Sequence, residues 1–166
     1  MRNNFHFVNF GNLFARKPNA VAIVNGSREY PQIHGIVRFY KVASGVVVRT
    51  EVAGLPSGNG GCDSPIFAFH IHSAGDCSES GAEPFAKTMG HYNPRNCHHP
   101  YHAGDLPPLF SAGGRAVSVF LTDRFTVDEI LEKSIIIHSS PDDFISQPSG
   151  NPGSKIACGI IVPVMR

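Results

Sequence analysis

The side chains of this chain best suited to chemistry are its histidines. The sequence has nine of them, and six fall where the ligands of a metal site would be expected, accompanied by one aspartate. Imidazole is the commonest metal ligand in proteins, so this set predicts metal binding ahead of other chemistry. The seven candidate ligands are His70, His72, His91, His99, His102, Asp105 and His138.

The first two candidates lie in the apolar segment 66–72, IFAFHIH, which has the composition of a strand. Alternate side chains of a strand point to opposite sides, so His70 and His72 share one face, while the phenylalanines and Ile71 face the core. We expect both imidazoles on the outer surface of the sheet. For this pair alone, a surface strand that carries two histidines without a function is the alternative.

The next candidates lie in a long loop, where His91 precedes an HxxHxxD pattern over 99–105. Imidazole and carboxylate ligands of this kind suit zinc in a closed tetrahedral site. Metal binding would also help to fold a loop too polar to form its own core. A histidine-rich surface loop without an ordered ligand is the alternative. His138 ends the apolar strand 134–139 and shares a face with Ile136, while the neighbouring isoleucines point into the core.

The elements that must position these residues are short strands with period-two alternation. A hairpin is predicted near 43–45, and Thr126 with Glu129 has the spacing of a capping box that begins a helical turn over 126–133. Seven or eight such strands favour an antiparallel sandwich or barrel. Strands are predicted at 20–24, 33–40, 46–52, 66–72, 115–123, 134–139 and 155–164, with long loops at 73–114 and 140–154.

Length and composition set the remaining limits. At 166 residues the chain is about one domain long, and we assign residues 1–19 to an extended N-terminal lead-in and 20–166 to a single β domain. With 17 glycines, 13 prolines and only 16% charged residues, a helical bundle is disfavoured.

The formal charge of +1 is too small to attract nucleic acid or a membrane surface. The start lacks a secretory signal, so we expect a cytoplasmic location, or a periplasmic or extracellular one if a leader was removed.

Five short sequence motifs resemble those of a known protein family, and the resemblance extends from about Ala20 to Val162. In this order, FHIH, GHYNP, HAGDL, IIHSSPDD and GSKIACGII resemble the copper/zinc superoxide dismutase family, and PYHAGDLPPLF resembles its Gram-positive bacterial branch. The resemblance implies an all-β fold, an eight-stranded antiparallel Greek-key β-barrel or sandwich of immunoglobulin-like type with long metal-binding and active-site loops. It also implies an oxidoreductase that converts superoxide into O₂ and hydrogen peroxide.

The resemblance further implies a role for each candidate ligand. His91 would bridge the two metals, and in the reduced enzyme would carry a proton towards the product. Asp142 would link a copper ligand to a zinc ligand, although an aspartate of a plain loop turn is its alternative. His98 could replace His99, but the spacing from His91 favours His99. Copper would be held by His70, His72, His91 and His138, and zinc by His91, His99, His102 and Asp105.

Two departures from the family pattern affect the expected rate. Lys155 stands where the family usually has an arginine above the copper, and it offers a point charge in place of a planar fork. Ser73 stands where many members have glutamate. The loop from 139 to 154 carries no basic residue, so steering of an anion should be weak. We expect Lys155 to attract superoxide and the enzyme to be slower than usual.

Four cysteines raise the question of a disulfide. The resemblance implies that Cys77 pairs with Cys158, leaving Cys62 and Cys97 over, although the sequence alone allows three pairings. Such a bond is unusual in a reducing cytosol, which stands against the expected location.

Two other functions compete with the dismutase. A metal-binding protein of the same fold could hold structural zinc and buffer or transfer copper, and the lysine at 155 keeps that alternative open. A zinc hydrolase needs an open zinc position, which a four-ligand site does not provide. The partner expected from the resemblance is the superoxide anion, with no nucleic acid and no membrane. Family members include dimers and monomers, so a homodimer is one expected assembly.

Overall fold

The computed structural model describes residues 9–57, 65–79 and 83–165. Strands dominate these residues, and the helices are short. The strands are β1 Ala20–Gly26, β2 His34–Val42, β3 Gly45–Ala53, β4 Ile66–Phe67, β5 Phe69–His72, β6 Leu109–Phe110, β7 Arg115–Thr122, β8 Ser134–His138 and β9 Lys155–Pro163; the helices are α1 Phe10–Phe14, α2 Val127–Ile130 and a 3-10 turn at Ala86–Thr88.

Seven strands form one antiparallel sheet in the order β5-β8-β9-β1-β2-β3-β7, and β4 pairs with β6 in a second, two-stranded sheet. One residue separates β4 from β5, and β6 packs against β7. The small sheet therefore connects the two edges of the large one, which curls into a barrel and leaves fewer strand edges unpaired. The predicted all-β antiparallel barrel is confirmed.

The segment 66–72 forms two strands where one was predicted. The break falls at Ala68, whose N–H donates to Ser140 O and whose carbonyl accepts from the N–H of His138. Because Ala68 uses its backbone groups for these bonds near the end of β8, the strand is interrupted at this residue. As a result β4 pairs with β6, while β5 pairs with β8. The same contacts bring the 140–154 loop next to His70 and His72.

The core forms where the inward faces of the strands meet. The period-two pattern holds along most strands, so that Phe39 on β2, Val48 on β3 and Ile137 on β8 are fully buried. Strand β7 keeps the alternation but carries apolar side chains on its outward face, since Val117 is 72% exposed while the adjacent Ala116 is buried. On β8 all five residues are buried, since a loop covers its outer side.

His70 and His72 were predicted on the outer surface of the sheet, and this prediction is wrong as to exposure. They do point away from the core side of β5, but only 0% and 2% of their surfaces are accessible. The loop that follows β5 folds back over this face, where Tyr92 N–H donates to Ile71 O and the N–H of Ile71 donates to Gly104 O. Alternation assigns a residue to a face, but it does not show what covers that face.

The N-terminal segment also departs from expectation. Residues 1–8 lie outside the described part of the chain, and Phe10–Phe14 form α1 where an extended lead-in was predicted. Asn9 caps this helix by accepting from the N–H of Asn12, and Leu13 packs on Tyr40 and Val47 on the outer side of β2 and β3. A helix this short depends on such packing, which local sequence does not reveal. The boundary between 1–19 and 20–166 stays a prediction.

The capping box of α2 is present as predicted. Thr126 Oγ1 accepts from the N–H of Glu129 at 3.4 Å, and the Glu129 carboxylate accepts from the N–H of Thr126 at 2.6 Å. No helix in the described residues is long and apolar enough to cross a membrane.

Candidate metal centre

Four imidazoles gather on the outer side of β5 and β8. His70 and His72 project from β5, and His138 ends β8, where the pairing of β8 with β9 slips by one residue. His91 approaches from the loop and forms an isolated bridge with His72. The Nε2 atoms of His72 and His138 are 3.3 Å apart, and the ring centroids of His70 and His91 are 3.9 Å apart.

A second cluster shares His91 and is completed by His99, His102 and Asp105. The Nδ1 atom of His91 lies 2.7 Å from Asp105 Oδ1 and 3.4 Å from Nδ1 of His102, and Nδ1 of His99 lies 3.1 Å from Asp105 Oδ2. In each cluster the candidate ligand atoms lie within 4.8 Å of one another. His98 is exposed, whereas His99 is buried, so the structure brings His99 and not its neighbour to the site.

The unpaired atoms of these clusters test whether metals fit. Three buried ring nitrogens form no hydrogen bond: Nδ1 of His70, Nε2 of His91 and Nδ1 of His99, which lies near Asp105 Oδ2 without hydrogen-bond geometry. An unpaired buried polar atom costs about 1–3 kcal/mol, which a bound metal would remove. Four imidazoles suit Cu(II), and three imidazoles with one carboxylate suit tetrahedral zinc. The residues present therefore fit both metals.

Hydrogen bonds to the opposite nitrogens orient the copper-side rings. His70 Nε2 donates to Asp142 Oδ2 at 2.8 Å, His72 Nδ1 to Met89 O at 2.7 Å, and His138 Nδ1 to Gly153 O at 3.3 Å. Each bond fixes one tautomer and leaves the other nitrogen free for a metal. Burial lowers the pKa of all three imidazoles, that of His138 to about 3, which favours the neutral form that binds metals.

Asp142 joins the two clusters. Its carboxylate accepts from His70 through one oxygen and from Nε2 of His99 through the other, each at 2.8 Å. Burial opposes ionisation, but the hydrogen bonds from His70, the Phe144 N–H and His99 lower the pKa of Asp142 to about 2. Gly150 has a left-handed backbone at φ 75°, and a Cβ there would collide with Asp142 Oδ1, so glycine lets this loop close over the carboxylate.

Comparison with known proteins decides the family. The family model described as copper/zinc superoxide dismutase matches residues 33–161. The chain belongs to this family. Cu-Zn superoxide dismutase 2 of Aquifex aeolicus (strain VF5) is 32% identical over 145 residues, covering 78% of this chain and 80% of that protein. The Cu-Zn superoxide dismutase of Photobacterium leiognathi is 34% identical over 143 residues, with coverages of 76% and 78%.

The solved structures agree with this assignment. A double mutant of a SOD-like protein from Bacillus subtilis superposes with a TM-score of 0.69 at 27% identity, covering 86% of this chain and 96% of that one. The predicted copper/zinc superoxide dismutase, an oxidoreductase with copper and zinc as cofactors, is confirmed at the level of the family.

In this member of the family, the copper-side cluster opens to a cavity of about 690 Å³. His72, His91 and His138 line it together with Lys155 and Glu83. Burial lowers the pKa of Lys155, and the Glu83 carboxylate opposes this shift. Ser73 is exposed and does not line the cavity. A cation and an anion therefore both face the approach to the copper side.

Two supporting residues, Arg124 and Gln147, were missed by sequence reasoning. Arg124 Nη1 lies 3.1–3.2 Å from the carbonyl oxygens of Pro100, His102 and Asp105, which belong to the zinc-side loop. The Gln147 side chain accepts from the N–H of His99 and donates to its carbonyl. These side chains bind backbone groups, which every residue carries, so the partner leaves no signal in the sequence.

A disulfide ties the loop after β5 to the barrel. Cys77 is bonded to Cys158 of β9, across 81 residues of sequence, as the family resemblance implied. The loop that it closes, 77–158, contains Asp142 and every candidate ligand except His70 and His72, so the link limits the conformations of the unfolded chain around the site. Cys97 has no disulfide partner among the described residues, and Cys62 lies outside them.

Proposed function

We propose that this protein is a superoxide dismutase, in which two superoxide anions and two protons yield O₂ and hydrogen peroxide. The observation that carries the proposal is the shared imidazole of His91, whose Nδ1 belongs to the Asp105 cluster while its Nε2 is buried without a partner beside His70. A structural zinc site alone would not require the three further imidazoles of His70, His72 and His138.

The free donor atoms support a separate site for each metal. The nitrogens left free by the hydrogen bonds are those that would bind copper: Nδ1 of His70 and Nε2 of His72, His91 and His138. Zinc would be bound by Nδ1 of His91, His99 and His102 with the Asp105 carboxylate. When bound, copper supplies the one-electron oxidation and reduction of superoxide, whereas zinc has no redox chemistry and orders the site.

The chain itself supplies access, charge and a proton. The cavity admits a small anion to the copper-side imidazoles, and Lys155 offers the positive charge at its wall. His91 lines the same cavity, so its Nε2, where it is not bound to copper, could hold a proton beside the product that must be protonated. Glu83, which also lines the cavity, and the lack of basic residues over 139–154 weaken electrostatic steering, so the rate should fall below the diffusion limit.

The test is metal content measured together with dismutation rate on protein reconstituted with copper and zinc. We expect one copper and one zinc per chain and rapid turnover that cyanide inhibits. Zinc bound without copper, or both metals bound without turnover, would contradict the proposal and favour a metal-binding protein of the same fold.

A further inference from the structure

The short segment 85–89, hereafter the 85–89 turn, has an unusual backbone. Phe85 has φ 55° and Met89 has φ 64° with ψ −151°, on either side of the 3-10 turn Ala86–Thr88. Neither residue is glycine, and the conformation of Met89 is one that side-chain-bearing residues rarely adopt. Such a conformation persists only where surrounding contacts impose it.

Lys155 supplies those contacts. From the first position of β9 its Nζ donates to Phe85 O at 3.2 Å, Thr88 Oγ1 at 2.9 Å and Met89 O at 3.2 Å. Two of these acceptors are the carbonyls of the two residues with positive φ. An ammonium group has three N–H donors, so the 85–89 turn engages all of them.

The same turn also holds a copper-side imidazole. Met89 O accepts from Nδ1 of His72 at 2.7 Å, so Lys155 and His72 share this acceptor. Thr88 Oγ1 lies 3.4 Å from the same nitrogen of His72. The bond to Met89 O fixes the tautomer of His72 and leaves its Nε2 facing His138.

We propose that Lys155 is a positioning residue that holds His72 in place through the 85–89 turn. Its positive charge can attract an anion in the cavity, but it has no free N–H with which to donate a hydrogen bond to that anion. This inference rests on the proposed function and adds a structural role for the lysine that stands where the family usually has arginine. A guanidinium has five donors, so it could hold the same three acceptors and still donate to an anion.

The first experiment measures solvent exchange of the His72 Nδ1 proton by NMR on zinc-loaded protein with reduced copper. In Lys155→Met the carbonyl of Met89 no longer accepts a hydrogen bond from Nζ of residue 155. We therefore expect the His72 Nδ1 proton to exchange at least about tenfold faster than in the native protein. Lys87→Met is the matched control, because Lys87 lies in the same turn, is exposed and, among the residues that the structure describes, pairs only with Asp76 at 3.7 Å. Unchanged exchange in Lys155→Met would overturn the positioning role.

The second experiment titrates azide into the Cu(II) form and follows visible absorption. Lys155→Arg should bind azide about tenfold more tightly, because it gains donors that the native ammonium lacks. Thr88→Val removes one acceptor, keeps the charge and should also tighten azide binding. Equal or weaker binding in both variants would overturn the claim that all three donors are engaged.

These readouts separate the inference from the proposed function. Proton exchange at His72 and azide affinity do not require turnover. A native protein without dismutase activity whose Lys155→Met variant still exchanges faster would contradict the proposed function and support the positioning role.

Discussion

The two ligand clusters share His91, yet the chain holds the rest of each in a different way. His70, His72 and His138 belong to β5 and β8, which pair residue by residue along four positions. The zinc-side ligands lie between 91 and 105, where the chain forms no regular strand or helix. That segment is held by isolated bridges to β5 and by side chains such as Arg124.

This contrast indicates which half depends on its metal. Ladder hydrogen bonds and the core beneath hold the copper-side imidazoles whether or not a metal is bound. The zinc-side loop crowds three imidazoles around one buried carboxylate, and its folding would be coupled to zinc binding. Gly104 allows this loop to lie directly on β5, because a Cβ there would collide with Ile71 O. We therefore expect a preformed copper side and a zinc-dependent loop.

The largest effect should come from the residue that both halves share. His91→Ala removes one ligand from each cluster, so we expect loss of both metals and dismutase activity near background, measured by metal analysis and rate. His98→Ala is the control, since His98 is exposed in the same loop and belongs to neither cluster. Full copper content in His91→Ala would show that the two halves are independent.

The next effect should come from the carboxylate that joins the halves. Asp142→Asn weakens the bonds to His70 and His99, and we expect about 10–100-fold lower affinity for both metals in chelator competition. Asp143→Asn is the matched control, because Asp143 is exposed and its carboxylate accepts from its own turn, at Ile145 and Ser146. Weakening confined to one metal would contradict the bridging role.

Selective removal of zinc should separate the halves directly. We expect amide hydrogen exchange at Tyr92 and Gly104 to become at least about tenfold faster, while the amides of Ile135 and Ile137 in β8 stay protected. Mass spectrometry or NMR of the zinc-free protein measures both. Equal acceleration in β8 would show that the copper side is not preformed.

The last prediction concerns the pH dependence of the metal-free protein. Burial lowers the pKa of His138 from 6.5 to about 3, so between these values the unfolded chain binds more protons than the folded one. The free energy of unfolding should fall as pH decreases from about 6.5 to 3, by up to about 1.4 kcal/mol per pH unit for this group.

Urea unfolding at a series of pH values measures this dependence. Asp142, whose pKa is lowered from 3.8 to about 2, should add a further loss below pH 3.8 as its carboxylate is protonated. His138→Gln should flatten the upper part of the profile. A flat profile in the native chain would show that His138 is not held neutral by burial.

Much of the fold and the candidate ligands could be predicted from local pattern. Period-two alternation predicted the faces of His70 and His138, and the spacing of Thr126 and Glu129 predicted the start of α2. The break at Ala68 could not be predicted, because it depends on bonds to Ser140 and His138, which lie about 70 residues away in the chain.

The sequence by itself determined which residue types could bind metals, which faces of the strands they occupy and which family the chain resembles, because residue type and strand period are local properties. Only the tertiary structure decided that His70 and His72 are buried, which ring nitrogen of each imidazole remains free, and that Lys155 has all three donors engaged. Those outcomes depend on loops that fold over the strands and on backbone carbonyls that any residue could supply.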